Sequence, residues 1–391
     1  MKYHDIEIHH DNVIPLHEQL TNQIRQLILS RRWQTGYRVP SETELQRRLS
    51  ISRSTVRHSL QTIEIEGLIE RVAGRGTFVS PQRERDRVHS PLAFMVIDFD
   101  HPQQRELLRG AESAAREAGY PVFFCNSDFD PVEERRMLEQ LKHDQVAGVL
   151  LWMSIENGKS DFVAQLSEPD FPPVTMMDRT FEGISCDYVA SDNYLGATRV
   201  IEHLVELGHE HIAFLSCGIL DLAPIAERYR AYQDAMHDAG LEPMVPWMFG
   251  APDQEIYSEM ALRAYSNKDD STVGEIADIL QKNLGQATAI VAINDNVALL
   301  VLKAAHRLGI SIPDELSLTG FDDVDLVSYL PTPMTTIAQD YYAMGKSAAE
   351  LLIERIEGCY SGPPRQVLLP TQLRVRATTS VPHPTKQRLN D

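Results

Sequence analysis

The chain has 391 residues, 43% hydrophobic and 24% charged, with a net charge of −19. That is an ordinary globular balance, long enough for two or three domains with sizeable cores. Its four scattered cysteines form no CxxC pair, and neither an apolar leader nor a run of about 18 apolar residues is present; a zinc or disulfide framework, a secretory signal and a membrane span are all disfavoured, and a cytoplasmic protein is expected.

The average charge argues against nucleic acid, but it hides an asymmetry. Residues 1–90 carry 14 Lys and Arg against 11 Asp and Glu, which leaves 23 against 45 in the remainder. A mildly basic head on a strongly acidic body suggests two modules with different partners.

In the head, "PLHEQLTNQIRQLIL" places Leu16, Leu20, Ile24, Leu27 and Ile28 on one helical stripe behind Pro15. "PSETELQRRL" opens with Ser41 three residues before Glu44, the pattern of a capping box. Ser52 caps a third helix whose inner face is Val56, Leu60 and Ile63, and Gly67 ends it. "LIERV", "AGRG" and "TFVS" then read as a hairpin with a glycine-rich tip. Three helices and a hairpin make a winged helix-turn-helix, whose third helix enters the major groove by its N-terminal end. Candidate DNA-binding residues are therefore Ser41 and Glu42 before and within the second helix, Ser52, Arg53, Ser54, Thr55 and Arg57 at the third, and Arg75 and Gly76 at the wing tip. Arginine can grip guanine or phosphate with two parallel bonds, and a charged tip suits a narrow minor groove.

Residues 15–80 resemble the GntR-type DNA-binding domain through "G..VPSE.EL", "SRSTVR..L..IE.EGLI" and "GRGTFV". The resemblance implies sequence-specific binding of double-stranded DNA. One departure is "RRW" (31–33), where that domain often has a glycine; only a loop should be affected.

Residues 81–91, "PQRERDRVHSP", read as a linker between a head at 13–80 and a body at 92–382. In the body, strand-like runs such as "LAFMVI", "VAGVLLWM", "PVTMMD", "IAFLS" and "ATAIVAIND" alternate with amphipathic helices. This rhythm predicts α/β architecture with doubly wound parallel sheets, and the length predicts two lobes around a cleft. Ligands of such sheets bind at the carboxyl ends of the strands. The polar groups just after strands are Asp98, Asp178, Arg179, Asp295 and Asp322, and nearby aromatics are Trp152, Phe181, Phe321 and Tyr341. Carboxylates and arginines paired with aromatics suit a polyhydroxylated ligand.

"MDR" (177–179), "SDNYLGATRVIEHLVELGHEHIAFLS", "AINDNVALLVLKAAHRLGISIPDELSLTGFDD" and "PMTTIAQDYYAMGKSAAELLIERI" make residues 92–382 similar to the LacI/GalR repressor core, itself like periplasmic sugar-binding proteins. The resemblance implies a periplasmic-binding-protein-like body with lobe crossovers near 190, 339 and 369; a homodimer is expected, with its contacts in the body because so small a head has little spare apolar surface. It maps effector contacts onto Asp295 of the "ND" pair, Asp178, Arg228 of "RYRAY" and Tyr341. With the strand-end rule, the candidate effector residues are Asp98, Trp152, Asp178, Arg179, Arg228, Asp295, Phe321 and Tyr341. No metal site or cofactor is expected: His203, His209 and His211 do not converge by their helix and loop positions, and the chain has no GxxxxGK[ST] phosphate loop. Together the two resemblances predict a transcription regulator, a repressor released from its operator by a sugar. A co-repressor whose ligand, a sugar phosphate or nucleobase, strengthens DNA binding is the alternative. An aminotransferase-like enzyme would need a Schiff-base lysine the body does not offer, and a solute-binding protein would need an export signal.

Overall fold

The computed structural model describes residues 6, 8, 14–29, 32–72, 74–80, 89–99, 102–158, 160–217, 220–250, 270–283 and 285–382. Most of the expected linker, 81–88, lies outside the described residues, as does Ala73 at the wing tip. The chain divides into two compact units, residues 1–89 with 357–361, and residues 90–356 with 362–391.

The first unit contains α1 (Leu16–Leu29), α2 (Glu42–Leu49), α3 (Arg53–Ile65) and the antiparallel hairpin β1 (Ile69–Val72) and β2 (Gly76–Val79). Leu20, Ile24, Leu45, Val56, Leu60 and Ile63 meet in its core. Ser41 caps α2: its hydroxyl accepts from the Glu44 amide at 3.3 Å, and the Glu44 carboxylate accepts from the Ser41 amide at 2.8 Å. Trp33 does more than fill a loop. It is buried in the head core and stacks on Tyr37 at 5.0 Å between ring centres.

The second unit holds two parallel sheets. The first has the order β13-β7-β6-β5-β3-β4. Its strands are β3 (Leu92–Val96), β4 (Val122–Asn126), β5 (Gly148–Leu151), β6 (Val174–Met177), β7 (Asp187–Ser191) and β13 (Gln366–Leu369). The second has the order β11-β10-β8-β9. It is built from β8 (Ile212–Cys217), β9 (Trp247–Phe249), β10 (Ala289–Ala292) and β11 (Ser317–Thr319). Central strands such as "LAFMV" are buried throughout, as parallel strands covered on both faces must be.

The chain passes between the sheets three times. It leaves the first sheet after β7 to begin α8 (Asn193–Glu206). It returns after β12 (Thr336–Ala338) into α13 (Tyr341–Ile356), and leaves again after β13 into β14 (Gln372–Arg374). β12 and β14 pair antiparallel, so two crossing segments brace each other. α4 (Pro102–Glu117) and α13 pack so closely that a methyl group on Gly110 or Gly345 would collide with the opposing helix backbone. Both helices begin at the cleft, and this contact fixes their starts relative to each other.

The strand β7, "DYVAS", has no counterpart among the predicted strands, because it opens on an acid. Asp187 is fully buried there. Arg355 grips it at 2.6 and 2.7 Å, and Arg365 donates from its amide at 2.7 Å and its side chain at 3.0 Å. Burial pulls the Asp187 carboxyl upward, but the two arginines outweigh it and hold the group below the usual range.

Candidate DNA-binding face and ligand cleft

The N-termini of α2 and α3 build the basic face of the head. Ser52 caps α3 by accepting from the Thr55 amide at 3.1 Å, and its hydroxyl lies 2.7 Å from those of Ser54 and Thr55. The helix start therefore presents a row of hydroxyls and unsatisfied amides, a setting that favours phosphate. Arg53 and Arg57 lie one turn apart, both largely exposed, and both reach Glu42 Oε2, at 3.2 and 3.4 Å. Burial pulls the Glu42 carboxyl up, but the Arg57 and Arg53 hydrogen bonds hold it below its ordinary value. Arg75 stands exposed at the wing tip. Gly76 sits at φ 115°, and a side chain there would press on the Arg38 guanidinium, 3.2 Å from a Cβ. The structure thus gathers Ser41, Glu42, Ser52, Arg53, Ser54, Thr55 and Arg57 at two helix starts. It keeps Arg75 and Gly76 apart on the hairpin.

In the second unit, the carboxyl ends of the strands face each other across a cleft. Asp98 follows β3, Trp152 follows β5, and Asp178 and Arg179 follow β6 in the first lobe. Tyr341 opens α13 on the same side. From the other lobe come Arg228, on α9 (Ala223–Asp238), and Asp322, after β11. Asp322 is the centre of the arrangement. Its Oδ1 accepts from Gln339 Nε2 at 2.6 Å and Tyr341 OH at 3.1 Å, and its Oδ2 from Gln103 Nε2 at 3.4 Å. Arg228 Nη2 stands 4.0 Å from Oδ1. Arg228 is itself held by Asn193 Oδ1 at 2.8 Å and the Ile293 carbonyl at 2.5 Å. Burial raises the Asp322 carboxyl to about 6, against the pull of Arg228 and with a further push from Asp178 across the cleft. Burial raises Asp178 too, against the opposing pull of Arg179 and Arg228.

Two expected contacts lie beneath the cleft instead of in it. Asp295, at the first residue of α11 (Asp295–Leu308), is fully buried. One carboxylate oxygen accepts from the Val324 amide at 2.9 Å, the other from the Thr336 hydroxyl at 2.6 Å. It ties the segment after β11 to the crossing strand β12, and so holds Asp322 in place. Burial raises its carboxyl to about 7, with the Asp322 charge adding to the rise. Phe321 is 2% exposed, and its ring carries the Arg228 guanidinium at 3.7 Å. Its face serves the arginine, so it offers no stacking platform to a ligand. Trp152 likewise carries the Arg179 guanidinium, 5.3 Å from its ring centre.

Several cleft groups were not singled out from sequence. Gln103, Gln104 and Gln339 are ordinary in composition, and only the fold brings them to Asp322 and Asp98; Gln104 Nε2 donates to Asp98 at 3.4 Å. Asp322 was one strand-end acid among several, and the doubled aspartate of "GFDD" was the available signal. Gln103 Oε1, Gln104 Oε1, Gln339 Oε1 and Trp152 Nε1 are buried without a hydrogen-bond partner among the described residues, and Arg179 Nε has only the Asp178 carboxylate, 3.8 Å away. Unpaired buried donors and acceptors are costly, and hydrogen bonds to a polar ligand are one way to offset that cost. A cavity of about 610 Å³ opens along the crossing strands, lined by Gln103, Arg105, Asp322, Gln339, Tyr341 and Arg374 among others; Asp98, Trp152, Asp178, Arg179 and Arg228 do not line it. That volume suits a small ligand. Among the described residues no group of three or more His, Cys, Asp or Glu side chains is placed to hold a metal ion, and no helix is long and apolar enough to cross a membrane.

A winged helix joined to a two-lobed binding body defines a ligand-responsive, DNA-binding regulator. The comparisons with known proteins agree. The model of the bacterial regulatory proteins of the gntR family matches residues 16–79, and a periplasmic binding protein-like domain matches residues 201–379. The arabinose metabolism transcriptional repressor of Geobacillus stearothermophilus is 28% identical over 358 residues, 89% of this chain and 93% of the repressor. The ribose operon repressor of Escherichia coli (strain K12) is 27% identical over 325 residues, 80% and 92% of the two chains. In fold, the chain is similar to a LacI family transcriptional regulator from Enterococcus faecium solved with bound ribose, with a TM-score of 0.59 at 22% identity, over 75% of this chain and 99% of that one. The chain is a DNA-binding transcriptional regulator whose head matches the gntR regulatory-protein model and whose body matches a periplasmic binding protein-like domain.

Proposed function

We propose that this regulator is a cytoplasmic repressor, without catalytic activity of its own, that a neutral sugar releases from its operator. Residues 13–80 act as the DNA-binding head, and residues 92–382 as the effector-binding and dimerisation domain. The observation that carries the effector reading is the set of unpaired polar atoms around Asp322. Trp152 offers an unpaired donor, Arg179 an N–H that meets only the Asp178 charge, and Gln103, Gln104 and Gln339 unpaired acceptors, while the carboxylates of Asp98, Asp178 and Asp322 are buried. A ring of hydroxyls, each both donor and acceptor, satisfies such a mixed set better than a purely anionic group does. The relatives named for arabinose metabolism and for the ribose operon support a pentose.

The contacts assigned to effector are Asp98, Trp152, Asp178, Arg179, Arg228 and Tyr341, with Asp322 added as the central acceptor. Asp295 and Phe321 act through Asp322 and Arg228 as positioning residues. In the mechanism, a homodimer holds two heads at the spacing of a palindromic operator. Sugar bridges the lobes, changes their relative angle, and moves the heads out of register. Operator DNA then weakens sugar binding by the same factor that sugar weakens DNA binding.

A thermal-shift panel of aldopentoses, aldohexoses, sugar acids, sugar phosphates and nucleobases tests the ligand class, since a ligand of the native state raises the melting temperature. A shift with a neutral sugar, lost in Asp322→Asn, is expected. A shift only with a phosphate or nucleobase that tightens operator binding would favour the co-repressor alternative.

A further inference from the structure

Three guanidinium groups from two different elements converge on one carboxylate in the head. Glu42, in the first turn of α2, takes Arg53 and Arg57 of α3 on Oε2. Its Oε1 lies 3.7 Å from Arg71 Nη1, on the wing strand β1. Arg71 is also held at its Nε by Glu64 of α3, at 2.9 Å. Only 18% of the Glu42 side chain is exposed, against 62%, 57% and 44% for the three arginines. The carboxylate therefore lies behind, and the guanidinium groups form the outer surface. Arg71 sits in the hairpin ladder opposite Thr77, between the helix start and the wing tip.

An isolated surface ion pair hardly restrains its side chains, because solvation and side-chain entropy offset the attraction. One carboxylate shared by three arginines is different. Each arginine that moves away must leave the other two with a changed partner, so the set is restrained together. Arginine gains its geometric selectivity only when its planar fork is held in a fixed orientation.

We propose that Glu42 is a specificity-determining positioning residue, and that Arg71, held by Glu42 and Glu64, is a further DNA-contacting arginine bridging the recognition helix and the wing. Glu42 sets the directions in which Arg53, Arg57 and Arg71 meet the duplex. It also lowers affinity for random DNA, because any phosphate has to compete with the carboxylate for the same donors.

The sign of one substitution separates this role from simple charge. Removing an acid from a basic face strengthens binding to every duplex if charge alone counts. The test uses the full-length protein, an operator recovered by selection from random duplexes, and a shuffled duplex of the same length. E42Q is expected to weaken operator binding at least ~10-fold, while binding to the shuffled duplex holds or tightens. E42D keeps the charge but shortens the reach, and its ratio of operator to shuffled affinity is expected to fall as well. R71Q is expected to weaken operator binding and to reduce the slope of log affinity against log salt by about one. Parallel tightening on both duplexes in E42Q, with E42D like the wild type, would overturn the role of Glu42. An R71Q protein with unchanged affinity and slope would overturn that of Arg71.

Discussion

The head and the cleft use the same chemistry, carboxylates set against arginines, in opposite surroundings. In the head, Arg53 and Arg57 are more than half exposed and meet Glu42 at the surface. In the cleft, Arg228 and Asp322 are each 8% exposed at their side chains, and the guanidinium lies on the Phe321 ring. Water and salt screen the first set, so it can exchange partners with a passing phosphate at little cost. The second set cannot be screened, and every atom left unpaired there carries a penalty. One surface is suited to a long, charged, salt-sensitive partner. The other is suited to a small ligand that finishes a bonding pattern.

Salt concentration is the broadest way to break this comparison. Raising it from 50 to 200 mM is expected to weaken operator binding by ~1000-fold, as for a protein that neutralises several phosphates. Effector affinity, measured by calorimetry over the same range, should move less than about twofold. Comparable salt dependence at both sites would mean that the cleft is not a buried site. Arg53→Ala is expected to cost operator binding ~100-fold by fluorescence anisotropy, in the range of a lost two-pronged base contact. Its effector affinity should match the wild type.

Asp322→Asn sharpens the contrast from the other side. Effector affinity is expected to fall ~100-fold, for the loss of charge-assisted bonds in a dry site, and operator binding should persist without response. The sign of its effect on the free protein is also fixed. Burial raises the Asp322 carboxyl to about 6, so the folded chain holds this proton more tightly than the unfolded chain does. That group's contribution therefore declines as pH rises through about 6. Asp322→Asn should melt slightly higher than the wild type at pH 7.5, and the gain should shrink steadily as pH falls from about 6 toward 3.8. Asp295→Asn should behave differently. It leaves the Val324 amide or the Thr336 hydroxyl without its acceptor, and is expected to lower stability by about 1–3 kcal/mol in a denaturant titration while weakening effector less than Asp322→Asn does.

The smallest expected effect lies away from both sites. His209 is 1% exposed; its ring nitrogens lie 2.8 Å from Thr288 Oγ1 and 2.9 Å from the Ser380 carbonyl. Burial lowers its pKa, despite the opposing bond to Ser380, so the unfolded chain takes up the proton first. Stability should decline as pH falls below about 6.5, and His209→Gln should flatten that decline in melts from pH 7.5 to 5.5.

Much of this architecture was legible in the sequence, for identifiable reasons. The head's stripe from Leu16 to Leu27, its Ser41–Glu44 box and the Ser52 cap are local signals, and each formed where its residues predict. The alternation of apolar strands and helices likewise gave the parallel sheets. What stayed hidden depends on distant partners. β7 opens with Asp187, an acid that becomes a strand residue only because Arg355 and Arg365 arrive from more than 160 positions away. Trp33 looked like loop filling and is part of the head core. Asp295 and Asp322 both follow strands and look equivalent along the chain. They are told apart by Val324 and Thr336, which close over the first and leave the second facing the cleft. Arg71 occupies an ordinary strand position until the fold sets it against Glu42.

The most direct test of the account is operator affinity with and without saturating sugar, in the wild type and in Asp322→Asn side by side. The account predicts that the neutral sugar found in the thermal-shift panel weakens operator binding by the wild type at least ~5-fold, the lower end of ordinary allosteric coupling, and leaves the variant unchanged. Equal weakening in both proteins, or none in the wild type at a sugar concentration that saturates its cleft, would contradict it.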